Sequence, residues 1–331
     1  MRVMVTGGAG YVGAHTVRAL LEEGHEVLVI DDLSQGHRSA IPQEVKFLRG
    51  DFADPRVLEE AASWGPQGVI HFAARTSVAE SVREPMAYYH QNLGKSLQLV
   101  EWMIARGVRL LVLSSTAAVY GEPETTPIQE DHPHRPTSPY GHSKSLLEKT
   151  LRLLAPGRLQ VCCLRYFNAA GAHPSGEIGE DHRPETHLIP LLCKVALGQV
   201  ERIQVFGADY PTPDGTAIRD YVHVCDLADA HIRALTLLAT GGAAFAYNLG
   251  TGRGYSVLEV IRTARRVIPH PIPVEFAPRR PGDPAKLVAS AERAEREMGW
   301  RRRYSDLETI IATAWRWHST HPRGYDQEQV G

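Results

Sequence analysis

The chain has 331 residues, of which 43% are hydrophobic and 22% are charged, and its formal net charge is −2. This composition excludes a disordered chain, a fibrous repeat and a strongly basic nucleic-acid-binding protein. The four cysteines lack the spacing of a disulfide framework, and no apolar run reaches the ~20 residues of a membrane-spanning helix. We expect about two domains in a soluble protein of the reducing cytoplasm, because no signal-peptide pattern opens the chain.

In the first half of the chain, short strand-like stretches alternate with stretches of helical periodicity. Those at 68–72 and 108–113 are nearly continuous apolar runs, which are typical of strands buried on both faces of a parallel sheet. Repeated βα units predict an α/β fold class with a Rossmann-type doubly wound parallel sheet. The predicted strands are 2–6, 26–30, 45–48, 68–72, 108–113 and 159–164, and the predicted helices are 12–23, 55–62, 86–105 and 139–154.

After about residue 170, loops rich in Pro, Gly and His become common and the strands become short. We predict a first domain of residues 1–170 and a smaller mixed α/β domain of residues 171–331. A segment at about 218–250 is expected to return to the first domain. The predicted helices in this half are 188–198, 224–240, 256–267 and 305–317.

A glycine-rich turn, Gly7-Gly8-Ala9-Gly10-Tyr11-Val12-Gly13, joins the first strand to the first helix. Glycine suits positions where backbone approaches a pyrophosphate, and a helix N-terminus attracts phosphate. Asp31 and Asp32 end the second strand, where a carboxylate would bind ribose hydroxyls and repel a 2′-phosphate. The sequence therefore predicts NAD rather than NADP. Asp51, after the third strand, is either an adenine neighbour or a helix cap.

Tyr140 and Lys144 lie one turn apart in a predicted helix that Ser138 caps and Pro139 begins. A nearby ammonium group and a helix N-terminus both favour a phenolate, so this pair suits acid–base chemistry. A surface pair without function is the alternative. Thr116 follows a central strand at the edge where ligands bind in open α/β sheets, and it could hydrogen-bond a substrate hydroxyl or merely cap the loop.

Five motifs together resemble the extended short-chain dehydrogenase/reductase family, and most closely its branch that inverts C4 of UDP-hexoses. They are Thr6-Gly-Gly-Ala-Gly-Tyr-Val-Gly13, His71-Phe-Ala-Ala74, Ser114-Ser-Thr116, Tyr140-x-x-x-Lys144 and Arg165-Tyr-Phe-Asn-Ala-Ala-Gly171. The resemblance extends through the segment from Phe206 to Ala228 and through Arg279-Arg-Pro-Gly-Asp283. It covers residues 1 to about 318 in order.

The resemblance implies a role for particular residues on the cofactor side. Tyr140 would be the acid/base, Lys144 would bind ribose and stabilise the phenolate, and Thr116 would be the hydroxyl partner. NAD would contact Gly7, Gly10, Tyr11, Val12, Gly13, Asp31, Asp32, Asp51, Phe52, Phe72, Ala73, Ala74, Asn92, Ser114, Ser115, Tyr140, Lys144, Tyr166 and Phe167.

On the substrate side, the resemblance implies that Arg219 and Arg280 clamp the diphosphate of a sugar nucleotide, and that Asp283 holds its ribose. Arginine suits this task because its planar fork matches phosphate oxygens, although a structural ion pair is the alternative. The implied substrate contacts are Thr116, Tyr140, Asn168, His187, Leu188, Phe206, Arg219, Tyr221, Arg280, Asp283 and Leu287.

At three places the sequence departs from the family pattern, and these departures affect the residue roles that the resemblance implies. His187 stands where Asn is common, and Arg75-Thr76 replaces the usual residues after His71-Phe-Ala-Ala74. Leu287 stands where some members have a bulky Tyr, and a smaller residue there could admit N-acetylated sugars.

The implied activity is interconversion of UDP-galactose and UDP-glucose by transient oxidation at C4 with bound NAD. Epimerases of other UDP-sugars remain open: UDP-GlcNAc/GalNAc, UDP-xylose/arabinose and UDP-glucuronate. A 4,6-dehydratase would need an acidic pair after Thr116, and Ala117-Ala118 stands there instead. A non-catalytic NAD-sensing protein would keep the glycine turn but have no use for Tyr140, Lys144 and Thr116 together.

For partners, we expect a homodimer formed through the helices at 86–105 and 139–154. The alternative is that the apolar faces of these helices pack against the sheet of their own chain. No nucleic acid and no membrane is expected. No metal site is expected either, because the 16 histidines are scattered, and His132 and His134 lie in a Pro-rich loop without ligand spacing.

Overall fold

The computed structural model describes residues 1–242, 244–280 and 283–325. Two residues of the Arg279–Asp283 motif, Pro281 and Gly282, and the last six residues of the predicted second domain lie outside this part of the chain. The strands are β1 Arg2–Thr6, β2 Glu26–Asp31, β3 Lys46–Arg49, β4 Gly68–His71, β5 Leu110–Thr116, β6 Gln160–Tyr166, β7 Asn168–Ala170, β8 Ile203–Phe206, β9 Ile218–Arg219, β10 Tyr221–His223, β11 Ala246–Leu249, β12 Tyr255–Ser256, β13 Val274–Ala277 and β14 Lys286–Leu287.

Helices lie between many of these strands and after the last one. They are α1 Tyr11–Glu22, α2 Pro55–Trp64, α3 Val78–Arg83, α4 Pro85–Tyr88, α5 Ser96–Arg106, α6 Pro139–Leu154, α7 Leu188–Ala196, α8 Val224–Ala239, α9 Val257–Val267, α10 Glu292–Met298 and α11 Leu307–Thr320. Within the described ranges, none of these helices has both the length and the apolar character needed to cross a membrane.

Seven parallel strands form the central sheet in the order β11-β6-β5-β4-β1-β2-β3. The chain winds outward from β1 to β3, then crosses back to β4 and winds the other way. This confirms the predicted doubly wound α/β class. The strand order reverses between β1 and β4, and in such sheets ligands bind at the carboxyl ends of the strands at that point.

Helices cover both faces of this sheet with apolar side chains. On one face α1 and α8 bury Val17, Leu20, Leu227 and Leu235, and on the other α5 and α6 bury a second cluster. A separate apolar cluster joins α7, α9 and α11 through residues such as Ile189, Val260 and Ile310. The domain boundary near residue 170 stays a prediction, although β11 lies in the central sheet beside β6.

Local signals explain where α6 begins. Ser138 is the N-cap, its hydroxyl accepts a hydrogen bond from the amide of Gly141 at 3.2 Å, and Pro139 occupies the first turn. The predicted helix at 139–154 is therefore confirmed to the residue.

The predicted helix at 86–105 is helical throughout in the structure, but it is not α-helical along its whole length. A π-helical segment, Tyr89–Lys95, separates α4 from α5. We find a physical reason in Asn92, which lies in this segment and is held by hydrogen bonds to Arg75 and Ser143. The short helices α3 and α10 were not predicted. The strand predicted at 2–6 is confirmed as β1 Arg2–Thr6, and the boundaries of the other predicted elements differ from the structure by at most three residues.

Candidate active site

The glycine turn lies directly against the end of β4. Gly7 has φ +70°, and a Cβ on it would come within 2.5 Å of the backbone nitrogen of Ala73. A Cβ on Gly13 would come within 2.3 Å of the carbonyl oxygen of Gly7. Only glycine fits these two positions, so the turn brings the start of α1 to the crevice between β1 and β4.

Gly10 is the N-cap of α1 and has no side chain with which to cap the helix. A Cβ on Gly10 would meet nothing closer than 3.4 Å, so this part of the turn is open. The first-turn amides of α1 and the positive end of its dipole therefore suit a diphosphate. The turn fits the diphosphate of a dinucleotide in the way the sequence predicts.

Asp31 and Asp32 have different surroundings at the end of β2. The carboxylate of Asp31 is buried and accepts hydrogen bonds from the amides of Ala9 and Leu33, both at 2.9 Å. Burial raises the pKa of Asp31, although these two hydrogen bonds oppose the shift. Asp32 is exposed and accepts a hydrogen bond from the amide of Ser34. Asp31 thus fastens the glycine turn, while Asp32 faces solvent.

Asp51 is not the N-cap of α2, which is Asp54. Both carboxylate oxygens of Asp51 have partners elsewhere. One of its oxygens accepts a hydrogen bond from the amide of Ala53 at 2.9 Å, and the other pairs with the ammonium of Lys95. Its neighbour Phe52 packs edge-on against His71, with 5.0 Å between the ring centroids. Asp51 therefore connects the loop after β3 to the π-helical segment.

His71, at the end of β4, links the strands that flank the crevice. One ring nitrogen lies 2.6 Å from the hydroxyl of Thr6 and the other lies 2.9 Å from that of Ser96. Burial, assisted by the positive charge of Lys144, lowers the pKa of His71 to about 3. The imidazole is therefore neutral, and its function here is to hold the end of β1 in place.

Asn92 positions the segment Phe72-Ala73-Ala74-Arg75 after β4. Its amide oxygen accepts a hydrogen bond from the backbone nitrogen of Arg75 at 2.8 Å, and its amide nitrogen donates to the carbonyl of Arg75 at 2.9 Å. It also donates to the hydroxyl of Ser143 at 3.2 Å. These bonds hold the crevice wall against α6.

Tyr140 and Thr116 meet where the start of α6 approaches the end of β5. Burial raises the pKa of Tyr140, and a hydrogen bond with Thr116 works in the opposite direction. We expected Lys144 to lower this pKa. In this structure the pKa of Tyr140 is raised instead, because the buried phenolate would lose its solvation by water. Thr116 also accepts a hydrogen bond from the amide of Ala118 at 3.1 Å.

Lys144 is almost wholly buried, and its ammonium donates to the carbonyl oxygen of Ser114 at 3.0 Å. Burial lowers the pKa of Lys144 to about 8, although the carboxylate of Glu148 opposes the shift. The hydroxyl of Ser114 lies 2.6 Å from that of Tyr166, so β5 and β6 are joined beside the same lysine.

A buried network behind these residues was missed by the sequence reasoning. Glu148 pairs with the guanidinium of Arg165 through contacts of 2.6 to 3.1 Å, and Ser115 donates to the same carboxylate. Arg165 also donates to the hydroxyl of Tyr120 at 2.8 Å, which in turn donates to Asn248 at 2.6 Å. The available signal was spacing, because residues 140, 144 and 148 share one face of α6.

Several of the residues predicted to contact substrate, Asn168, Arg219, Tyr221 and Leu287, lie on short strands outside the central sheet. Asn168 of β7 stands opposite Tyr221 of β10, and its backbone nitrogen donates to the carbonyl of Asp220 at 2.9 Å. Arg219 is paired with Leu287 across β9 and β14, and its guanidinium forms an ion pair with Asp283. Burial raises the pKa of Tyr221 to about 12, against the effect of Arg219.

Apolar side chains line the same region. The guanidinium of Arg280 lies over the ring of Phe206, 3.9 Å from its centroid. Phe167 and Leu287 both pack on a small cluster formed by Val119, Tyr120 and Ile128. The predicted nucleotide-side and sugar-side residues are thus on neighbouring segments of the second half of the chain.

His187 and Leu188 stand at the start of α7, with His187 as its N-cap. The imidazole of His187 pairs with the buried carboxylate of Glu180, whose negative charge raises the pKa of His187 to about 9. Leu188 packs, partly buried, on the cluster around α7.

Comparison with known proteins agrees with this geometry. Residues 3–250 match the model of the NAD dependent epimerase/dehydratase family. The UDP-glucose 4-epimerase of Halalkalibacterium halodurans is 51% identical over 330 residues, which cover 99% of this chain and 98% of that protein.

Two solved structures extend the likeness to the fold. A crystal structure of a UDP-glucose 4-epimerase is 47% identical with a TM-score of 0.96, covering 99% of this chain and 100% of that one. The structure of a UDP-glucose 4-epimerase from Brucella ovis in complex with NAD is 43% identical with a TM-score of 0.92, covering 95% and 97%. The chain therefore belongs to the NAD dependent epimerase/dehydratase family, within the extended short-chain dehydrogenases/reductases.

Proposed function

We propose that this chain is an NAD-dependent enzyme that interconverts UDP-galactose and UDP-glucose by inverting C4 of the hexose. The observation that carries the proposal is the hydrogen bond between Tyr140 and Thr116 at the carboxyl end of β5, in the same sheet whose strand β1 leads into the glycine turn. The activity named for the relatives is the same. The four cysteines are free thiols, which fits a reducing cytoplasm.

The glycine turn and the acids after β2 and β3 would hold the dinucleotide. The amides at the start of α1 would bind its diphosphate, Asp32 would bind the adenosine ribose, and Asp31 would keep the turn in shape. Lys144 would bind the second ribose from its buried place beneath β5. When bound, NAD supplies the oxidation and the later reduction at C4.

Tyr140 would remove the proton of the 4-hydroxyl and later return it. A tyrosine with an ordinary pKa near 10 needs about 4 kcal/mol of stabilisation to lose its proton three units lower. Burial in this structure opposes that loss, whereas the hydrogen bond with Thr116 favours the anion. Thr116 would orient the substrate hydroxyl towards Tyr140.

The second half of the chain, residues 171–331, would hold the nucleotide and leave the sugar free to turn. Arg219 and Arg280 would bind the diphosphate, with Asp283 exchanging its partner Arg219 for the ribose of uridine. The 4-keto sugar could then present its other face to Tyr140. Because Ala117 and Ala118 follow Thr116, no acid stands there to eliminate water.

A wider substrate range is a second candidate function. Leu287 is a half-buried aliphatic residue that packs with Phe167 near Val119. An aliphatic side chain at this position leaves more room than an aromatic one, which favours acceptance of UDP-GalNAc and UDP-GlcNAc. A panel of UDP-galactose, UDP-GalNAc, UDP-xylose and UDP-glucuronate, with separation of the products, would define the range.

We further propose a homodimer formed through the predicted helices at 86–105 and 139–154. Exposed apolar side chains support this: Met86 of α4 is 76% exposed, Leu153 of α6 is 82% exposed and Val82 of α3 is 64% exposed. Large apolar side chains exposed on helices are typical of protein–protein contacts.

The decisive experiment incubates the purified protein with UDP-galactose and no added NAD. Formation of UDP-glucose, with transient absorbance in the NADH band, is the expected result. Absorbance that changes without product would support the NAD-sensing alternative, and no response to any UDP-sugar would overturn the proposal.

A further inference from the structure

We propose that Glu180, His182, Glu185 and His187 form a binding site for a divalent zinc-class cation, a site that the sequence analysis did not expect. We call these four residues the Glu180–His187 cluster. Each offers one ligand atom, and these atoms all lie within 4.8 Å of one another. The proposal does not rest on the proposed epimerase activity, although His187 is also one of the implied substrate contacts.

The distances within the cluster are close to those around a tetrahedral ion. The Nδ1 atom of His182 lies 3.1 Å from Oε1 of Glu180 and 3.9 Å from Oε2 of Glu185. The Nδ1 atom of His187 lies 3.7 Å from Oε1 of Glu185 and contacts the carboxylate of Glu180 directly. Ligands about 2.0–2.2 Å from a tetrahedral zinc ion lie roughly 3.4 Å apart, so only small side-chain shifts are needed.

A second observation points to a cation at this place. The side chain of Glu185 is only 2% exposed, and its Oε2 atom has no hydrogen-bond partner among the described residues. That atom faces His182 within the cluster. A buried carboxylate oxygen without a partner is costly, and a bound cation would provide the missing partner.

The donor set indicates the class of ion. Two imidazole nitrogens with two carboxylate oxygens suit Zn²⁺, and Co²⁺ as its spectroscopic substitute, whereas Mg²⁺ and Ca²⁺ prefer oxygen ligands alone. The side chain of His187 is 54% exposed, which gives an ion a route from solvent, while the side chain of Glu180 is 3% exposed and forms the floor of the site.

The cluster links two parts of the chain. His187 is the N-cap of α7, and the ring of His182 packs edge-on against that of Tyr11 at the start of α1, with 6.3 Å between centroids. A bound ion would therefore fasten the loop before α7 to the glycine turn. The ligand spacing, Glu180-x-His182-x-x-Glu185-x-His187, is visible in the sequence, but a loop conformation is needed to gather it.

The test uses the full chain without an affinity tag, dialysed against a chelator and then titrated with Co²⁺ and Zn²⁺. We expect one ion per chain, a visible Co²⁺ absorption spectrum of tetrahedral type that Zn²⁺ abolishes, and a rise in Tm with Zn²⁺. Absence of saturable binding would overturn the proposal, as would binding at several weak sites without this spectrum.

Variants assign the ligands. Glu185→Gln and His182→Asn should each weaken Zn²⁺ binding at least tenfold, whereas Glu177→Gln and His173→Asn, which change the same loop outside the cluster, should not. Circular dichroism and the Tm of the metal-free variants show whether each is folded. The proposal fails if folded Glu185→Gln binds Zn²⁺ as tightly as the unaltered chain, or if the control variants weaken binding equally.

Discussion

The ammonium of Lys144 donates a hydrogen bond to the carbonyl oxygen of Ser114 at 3.0 Å, which fastens helix α6 to the carboxyl end of strand β5. Tyr140 stands one turn earlier on α6, and Thr116 stands two residues later than Ser114 on β5. Together with the hydrogen bond from Ser115 to Glu148, this bond therefore holds in place the two residues that would handle the substrate hydroxyl. Lys144 is buried in this position, and its burial lowers its pKa to about 8.

Replacing Tyr140 with Phe should lower kcat for UDP-galactose by roughly 10²–10⁴-fold, because the proton of the 4-hydroxyl then has no acceptor. Binding of UDP should change little. Tyr89→Phe, which removes a hydroxyl that contacts His142, is the matched control and should keep its activity. Steady-state kinetics and calorimetric UDP binding measure both effects. A Tyr140→Phe enzyme of normal kcat would remove this residue from the mechanism.

Replacing Glu148 with Gln should destabilise the protein by about 3–5 kcal/mol, because Arg165 would keep a buried positive charge without its partner. The two side chains are 2% and 3% exposed. Glu124→Gln breaks the exposed pair with Arg135 and should cost less than about 1 kcal/mol. Urea unfolding monitored by circular dichroism compares the two variants, and equal losses would contradict the argument from burial.

Replacing Arg280 with Ala should raise KM for UDP-galactose about 10- to 100-fold and leave kcat nearly unchanged, because the diphosphate loses one bidentate partner. The adjacent Arg279 pairs with Asp209 at the surface, so Arg279→Ala is the control. Initial rates over a range of substrate concentrations give both constants. The assignment of Arg280 would be wrong if the two variants had the same KM.

Acid should destabilise the fold partly through His231. Its Nδ1 lies 2.8 Å from the carbonyl of Leu227, its buried Nε2 has no partner among the described residues, and burial lowers its pKa to about 4. As the pH falls below about 6.5, His231 becomes protonated in the unfolded chain, whereas it stays neutral in the folded chain until the pH approaches about 4. Stability contributed by neutral His231 is therefore lost between about pH 6.5 and pH 4, at roughly 1.4 kcal/mol per pH unit.

The measurement of this effect is the pH dependence of the free energy of unfolding in urea. His231→Leu should show a shallower loss of stability below pH 6.5 than the unaltered chain. His270→Leu removes an exposed imidazole and should leave the slope as it is. An unchanged slope in His231→Leu would mean that this imidazole is charged in the folded state.

Replacing Met86 with Glu should convert the proposed dimer to a monomer, because a carboxylate would enter an apolar contact between α4 and α6 of two copies. Val200→Glu changes an exposed apolar side chain elsewhere and should leave the dimer intact. Sedimentation velocity measures the mass of both variants. A monomeric unaltered chain would exclude the proposal outright.

Local signals made some features predictable from sequence. The start of α6 follows from Ser138 and Pro139, which act within one turn. The glycine turn follows from positions that tolerate no Cβ. By contrast, the π-helical segment at Tyr89–Lys95 depends on contacts of Asn92 with residues 17 and 51 positions away, which periodicity does not reveal.

For the candidate site, the sequence indicated individual residues with distinctive side-chain chemistry, such as Tyr140, Lys144 and Thr116. The pairing of Glu148 with Arg165 could not be predicted from the sequence, because it depends on the packing of α6 against β6. The ion pair of Arg219 with Asp283 likewise joins residues 64 positions apart. For the Glu180–His187 cluster, the residues are close in the chain, but only the fold of the loop brings their side chains together.

The place of β11 at the edge of the central sheet has a consequence for synthesis on the ribosome. Strand β6 ends at residue 166, but its outer neighbour is made of residues 246–249, after roughly three-quarters of the chain has been translated. Until then the nascent chain carries an unpaired, apolar strand edge, which can join another chain. Fragments that stop between these two points should aggregate, and a chaperone that shields β6 would protect them.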